Sequence, residues 1–300
     1  MRILITGSNG LLGQKIVDLC KQKSISFLAT SKGENRYSKV SNTEYRSMDI
    51  SNIEEIESVV ADFKPTSIIN TAAITNVDYC EDYKELCDLI NVEAVRKLLK
   101  VAEKNNIHLI HLSTDFVFDG ENGPYKETDE RNPLSYYGLS KLKSEDLLLS
   151  SSYKNWAIVR TIIVFGMAEN MSRSNIVLWA KSALEKGEPM NIVDDQFRAP
   201  TFAEDLAWAC VRIGEMNARG IYHISGPDTF SIMELVQKVA DYWGLDKSTL
   251  KTVSSSSLNQ AAKRPPKTGF VLEKAIKELG YRPRSFEESL LKLSSQLKKN

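Results

Sequence analysis

Gly7-Ser8-Asn9-Gly10-Leu11-Leu12-Gly13 follows directly on the apolar run Arg2–Thr6. Three glycines between a strand and an amphipathic helix leave this chain few ways to fold. Gly7 permits the tight turn out of the strand. Gly10 lets backbone approach a pyrophosphate without a β-carbon in the way. Gly13 lets the helix pack closely on the sheet. Phosphates then sit at the helix N-terminus, where free N–H groups and the helix dipole favour anions. Gly7, Ser8, Asn9, Gly10, Leu11 and Leu12 are the expected cofactor cradle.

The pattern that follows agrees. Apolar runs at 2–6, 26–30, 67–70, 108–113 and 155–164 read as buried strands. Segments 11–21, 53–63, 85–104 and 139–149 read as helices between them. Strands alternating with helices predict an α/β fold, a Rossmann-type doubly wound parallel sheet, with ligands at the carboxyl ends of its strands. After Gly166 the rhythm changes: helices at 175–186, 203–216, 232–242 and 272–279 alternate with short strands at 191–193 and 221–224. We expect a nucleotide-binding domain over 1–166. A smaller substrate-binding part is expected over 167–300, some of whose strands could return to the main sheet. The lysine-rich end, 291–300, is expected to fray.

The cofactor follows from the end of the second strand. An NAD site usually carries an acid there to hold the ribose 2′-hydroxyl. Here the chain reads Thr30-Ser31-Lys32, with Arg36 nearby and no acid on the strand end. Hydroxyls and cations suit a 2′-phosphate, so NADP(H) is preferred over NAD(H). Asp49-Ile50 is placed at the adenine edge, and Thr71-Ala72-Ala73 where a strand end passes the cofactor.

Tyr137 and Lys141, in Tyr137-Gly138-Leu139-Ser140-Lys141, stand four residues apart and share a helix face. An adjacent ammonium lowers a phenol's pKa electrostatically, so the tyrosine can exchange a proton with a carbonyl oxygen. Thr114, at a strand end beside Ser113, can hold the same oxygen, and Lys141 can also hold the nicotinamide ribose. Together these groups describe hydride transfer on a nicotinamide cofactor.

At this point the chain resembles the extended short-chain dehydrogenase/reductases, and within them the dTDP-4-dehydrorhamnose reductase group. The likeness runs through 7–13, 76–81, 111–120, 133–145, Arg160-Thr161, and from Val193-Asp194-Asp195-Gln196 to Pro200-Thr201. It implies Thr114, Tyr137 and Lys141 as the catalytic triad. It also implies cofactor contacts from Asn91, Ser113, Thr161 and Ile162. Substrate contacts are implied from Val77, Asp78, Asp115, Phe116, Ile163 and Asn175. The substrate expected from the resemblance is a 4-keto nucleotide sugar, and related proteins often form homodimers. Sister dehydratases carry an Asp-Glu pair after the threonine. Here Phe116 follows Asp115, which argues against dehydration. Two departures bear on the substrate. Ile163 stands where the group typically has tryptophan, and Arg198 where it commonly has glycine; in the cleft, Arg198 could clamp a diphosphate or carboxylate. The alternatives are a reductase of another small carbonyl, or a non-catalytic NADP-binding regulator like the methionine adenosyltransferase subunit.

Other classes fit poorly. Net charge is zero over 300 residues, which suits neither nucleic acid nor an anionic membrane. No apolar run approaches the roughly 20 residues of a membrane span, and the start of the chain does not read as a signal peptide. The cysteines, Cys20, Cys80, Cys87 and Cys210, contain no CxxC pair and are expected as reduced thiols of a cytoplasmic protein. No His/Cys cluster has metal-ligand spacing. Asp194-Asp195 reads as a loop turn, and His108, His111 and His223 as buried structural residues.

Overall fold

The computed structural model describes residues 1–171, 174–258 and 260–298. In chain order come β1 (Arg2–Thr6), α1 (Leu11–Gln22), β2 (Ser26–Ser31), β3 (Tyr45–Ser47), α2 (Ile53–Phe63), β4 (Ser67–Asn70), α3 (Val77–Asp82), α4 (Lys84–Asp88), α5 (Ala94–Lys104), β5 (His108–Thr114), α6 (Tyr136–Ser150) and β6 (Trp156–Thr161). Then follow β7 (Val164–Phe165), α7 (Ile176–Glu185), β8 (Met190–Val193), β9 (Phe197–Arg198), β10 (Thr201–Phe202), α8 (Ala203–Met216), β11 (Gly220–Ile224), β12 (Phe230–Ser231), α9 (Ile232–Trp243), β13 (Leu250–Val253), α10 (Glu273–Leu279) and α11 (Phe286–Leu297).

Seven strands form one parallel sheet in the order β11-β6-β5-β4-β1-β2-β3. The sheet is buried on both faces, so its strands read as near-continuous apolar runs; Ile3, Leu4 and Ile5 are all fully buried. Ile16, Val17 and Cys20 of α1 share one core cluster with Leu206 and Cys210 of α8. Ile56 and Val60 of α2, Val95 and Leu98 of α5 and Leu148 of α6 belong to another. The chain runs outward from β1 to β3, then crosses back to place β4 on the other side of β1. That reversal is the switch point where open α/β sheets bind ligands, and both Gly7 and Thr71 lie there.

A third cluster, around Phe165, Val177, Leu235, Val236, Phe286 and Leu290, holds the C-terminal part together. Three local expectations change. The tail does not fray at 291: α11 runs to Leu297, opened by a Ser285/Glu288 capping box and buried through Leu290 and Leu293. The helix expected over 85–104 is interrupted by a π-helical turn, Leu89–Glu93. The strand expected over 155–164 ends at Thr161, and Ile163 adopts φ 30°, a strained backbone for a β-branched residue. One strand of the C-terminal half, β11, returns to the main sheet beside β6.

Candidate active site

The carboxyl ends of β1, β2, β4, β5 and β6 share one sheet edge. The register sets Thr6 beside Thr30 and Asn70, and Thr114 beside Thr161. The glycine loop at this edge is sterically fixed. Gly7 has φ 67°, and a β-carbon on it would meet Ala72 N and Thr71 Oγ1, each at 2.8 Å. One on Gly13 would meet Gly7 O at 2.5 Å. One on Gly10 would meet only Gly7 O, at 3.3 Å, so that face of the loop is open to a ligand. The Ser113 hydroxyl, buried on β5, has no hydrogen-bond partner among the described residues. An open backbone cradle and an unsatisfied buried hydroxyl both fit a bound dinucleotide.

Several expected cofactor residues instead build the cradle. Thr71 Oγ1 donates to Thr6 O (2.7 Å) and pins the loop. Asn9 donates its amide N–H to Ser31 Oγ (3.0 Å) and its carboxamide to Glu34 O (2.9 Å), while its Oδ1 accepts from Arg36 N (2.9 Å). This draws Ser8, Ser31 and Arg36 into one corner. Arg36 is exposed, and its guanidinium makes no ion pair among the described residues. Thr30 is a correction: it is fully buried and its hydroxyl donates to Ile5 O (3.0 Å), so it is not available to a phosphate. Ile50 and Ile162 are likewise buried. Asp49, just beyond β3, lies 2.7 Å from Lys32 Nζ. An acid therefore does stand in this corner, although none is on β2. Burial opposes its ionisation, but Lys32 and Ser51 outweigh this and hold its carboxyl at about 2.

Tyr137 sits in the first turn of α6, capped by Ser135, whose Oγ accepts from Gly138 N (3.2 Å). Gly138 itself was not anticipated. A β-carbon there would collide with the Phe116 carbonyl oxygen and meet Pro133 Cβ at 3.0 Å. The bare glycine lets α6 rest directly on the turn that follows β5. Tyr137 thus packs edge-on against the Phe116 ring, with centroids 5.9 Å apart. Burial pushes the Tyr137 phenol above its usual range, while a hydrogen bond with Thr114 works the other way. The expected lowering by Lys141 is absent: Thr114 alone lowers the phenol, while burial, Asp115, Cys80 and Cys87 raise it. The lysine carries the shift instead: burial brings its ammonium down to about 8. Lys141 Nζ lies 3.3 Å from His111 Nε2, and His111 Nδ1 lies 3.1 Å from Asn70 Nδ2. Burial first, and Lys141 second, hold His111 well below its usual range and so neutral. His111 is buried as expected, yet it is also the direct neighbour of Lys141.

Thr114 Oγ1 donates to Asp115 Oδ1 (3.0 Å) and accepts from Phe116 N (3.2 Å). Thr268 Oγ1 donates to Asp115 Oδ2 (2.5 Å). Burial raises the Asp115 carboxyl, with Arg198, Thr268 and Thr114 all opposing. Arg198 is the second correction. It is not open in a cleft but 1% exposed, and it donates to the carbonyls of Phe197, Pro265 and Pro266. Asn175 is a third: its side chain caps α7 and donates to Gly166 O (2.7 Å). Asp78, the second residue of α3, accepts from Arg264 Nη2 (2.6 Å) and Ala262 N (3.1 Å). The C-terminal segment is thereby tied to the site wall next to Val77. Asn91, in the π-helical turn, exchanges two hydrogen bonds with the Ile74 backbone (2.9 and 3.0 Å) and donates to Ser140 Oγ (3.0 Å). It braces α6 against the end of β4, and π-turns recur at functional sites.

A separate cavity of about 930 Å³ opens between α1, α8 and α11 and contains none of Thr114, Tyr137 or Lys141. No helix among the described residues is long and apolar enough to cross a membrane.

The chain is similar to known proteins over nearly its whole length. A family described as RmlD substrate binding domain matches residues 1–299. The dTDP-4-dehydrorhamnose reductase of Aggregatibacter actinomycetemcomitans is 32% identical, covering 96% of this chain and 97% of that protein. Methionine adenosyltransferase 2 subunit beta of Xenopus laevis is 31% identical, covering 88% and 78%. The crystal structure of dTDP-4-dehydrorhamnose reductase from Bacillus anthracis in complex with NADP superposes with TM-score 0.82 at 26% identity, covering 98% and 99%.

Proposed function

The chain belongs to the RmlD substrate binding domain family, and on that premise we propose that it is an NADPH-dependent reductase of a 4-keto nucleotide sugar of the dTDP-4-dehydrorhamnose kind. One observation carries the reading. Gly138 lets α6 rest on the Phe116 carbonyl, and this brings Tyr137 into hydrogen-bonding range of Thr114 at the end of β5.

In this reading the glycine loop holds the pyrophosphate, and Ser8, Ser31, Lys32 and Arg36 hold the 2′-phosphate. Ser113 and Asn91 lie along the nicotinamide half. The cofactor supplies the hydride. Tyr137 gives its proton to the keto oxygen as the carbonyl becomes an alcohol, and Thr114 holds that oxygen. Without substrate the Thr114 hydroxyl donates to Asp115; with substrate bound, its one proton turns to the keto oxygen. Lys141, charged below about pH 8, neutralises the tyrosinate left behind and holds the ribose. Neutral His111 keeps the lysine in place. Val77, Asp78, Phe116 and Ile163 line the sugar side, and Ile163 takes the place of an aromatic surface. The likeness to methionine adenosyltransferase 2 subunit beta, 31% identical, supports the alternative: a protein that binds NADPH and reduces nothing.

The test is NADPH oxidation by the purified protein with dTDP-4-dehydro-6-deoxy-L-mannose generated in situ. Sugar-dependent oxidation supports the reading. NADPH binding without oxidation of this sugar, or of GDP- and UDP-linked 4-keto sugars, favours the regulatory alternative.

A further inference from the structure

Cys80 and Cys87 take no part in the steps above. They lie in α3 and α4, two short helices that meet at Tyr83, where φ −123° and ψ 58° break the helical run. The break brings together two thiols seven positions apart: their sulfurs stand 3.0 Å from one another. Both are fully buried and pack with Tyr137 in one small cluster that also includes Val77 and Phe116. On the same segment, Tyr83 and Leu86 are 52% and 40% exposed. A disulfide closes at ~2.05 Å, so about 1 Å of approach separates the two states.

The pair is also wired to the site. Asn91 Nδ2 reaches Cys87 Sγ (3.3 Å) as well as Ser140 Oγ, and Ser140 donates to Tyr137 O (2.7 Å). Hydrogen bonding from Cys80 pulls the Cys87 thiol below its usual range and so favours its thiolate. The remaining cysteines differ. Burial pushes the Cys20 thiol up to about 12 and raises Cys210 as well, which makes both unreactive.

We infer that Cys80 and Cys87 form a reversible dithiol–disulfide switch in the wall of the proposed active site. The oxidant is a small peroxide. The Cys87 thiolate attacks one peroxide oxygen, the O–O bond breaks, and hydroxide leaves to give a sulfenic acid. The Cys80 sulfur then displaces that oxygen as water and forms the S–S bond. Two thiols and one hydrogen peroxide become one disulfide and two waters, and a dithiol reductant restores both thiols. Closure shifts Cys87 away from Asn91 and disturbs the brace beneath Tyr137. This last consequence rests on the reductase reading; the covalent chemistry does not.

The experiment treats the reduced full-length protein with hydrogen peroxide. It then counts free thiols by maleimide labelling under denaturing conditions and maps cross-links by mass spectrometry. We expect two of the four thiols to disappear with a mass loss of two hydrogens, one peptide pair joining Cys80 to Cys87, and full reversal by dithiothreitol. Turnover should fall roughly ten- to a hundredfold on oxidation, in line with small displacements of reacting groups, and return on reduction. Cys80→Ser should keep the turnover of the reduced protein and resist reversible inactivation. Four labelled thiols after peroxide, oxygen adducts in place of the cross-link, or a cross-link that leaves turnover unchanged would each overturn the proposal. The thiol count needs no substrate, so it remains decisive if the reductase reading fails.

Discussion

Arg198 Nε lies 3.8 Å from Asp115 Oδ2, and both side chains are only 2% exposed. The pair joins β9, in the C-terminal half, to the turn directly after Thr114. Removing one member of a buried pair strands the other charge and costs about 3–5 kcal/mol. Arg198→Met should therefore lower the urea midpoint strongly. Asp115→Asn should cost less, because Arg198 keeps its bonds to the Phe197, Pro265 and Pro266 carbonyls, which Arg198→Met loses as well. Equal losses would mean that the ion pair, and not the three carbonyl contacts, is the main link.

Gly138→Ala sets two effects against each other. In a helix, alanine is favoured over glycine by about 1 kcal/mol. Here the new methyl group would strike the Phe116 carbonyl, and overpacking costs about 1–3 kcal/mol. Sterics should win, with lower stability and much lower turnover as Tyr137 moves from Thr114. A thermal melt and a turnover assay decide it; a more stable, fully active variant would rule out this close approach.

Tyr137→Phe should leave NADPH affinity within about twofold while turnover falls by roughly 10²–10⁴, the usual worth of a positioned proton donor. Wild-type turnover in this variant would remove Tyr137 from the proton-transfer step.

Arg36→Ala should weaken NADPH binding by about tenfold or more, since a charged hydrogen bond contributes about 1.5–3 kcal/mol. NADH binding should barely change. Fluorescence titration of both cofactors gives the ratio, and an equal effect on each would move the 2′-phosphate site elsewhere.

Lys141 gives a pH signature. Its folded pKa of about 8 lies below its unfolded value, so the unfolded chain binds the extra proton between the two. The penalty for burying the ammonium is fully present below pH 8. It is relieved as pH rises from 8 toward 10, a gain of about 3 kcal/mol at most. Denaturant unfolding of the wild type relative to Lys141→Met should show this rise, and parallel pH profiles would contradict the lysine's depressed pKa.

The parts legible in sequence are those whose physics is local. Gly7–Gly13 declares itself because turn, cradle and helix start fall within seven residues, and Tyr137 with Lys141 because helical spacing aligns them. The supports of the site were not legible. Thr268 reaches Asp115 across 153 positions and Arg264 reaches Asp78 across 186; nothing in either segment points to the other. Thr30 misled because a hydroxyl on a strand can turn inward to a neighbouring carbonyl as readily as outward. Arg198 misled because a cation where the resembled group commonly has glycine reads as a ligand clamp, whereas its partners are an internal carboxylate and three carbonyls. The role of Gly138 depends on a carbonyl more than twenty positions earlier, that of Phe116. The α11 capping box was visible as Ser285 followed by Glu288, but the surrounding lysines and serines masked it.

The sheet's last strand, β11, comes from the far side of Gly166. A fragment ending there would leave β6 as an edge, with the amides and carbonyls of Trp156–Thr161 facing solvent along an apolar, mostly buried strand. Such edges invite intermolecular pairing and aggregation. The half that ends at Gly166 is thus not a portable module: cutting it free would exchange an internal strand for self-association, and only the uninterrupted chain keeps that edge closed.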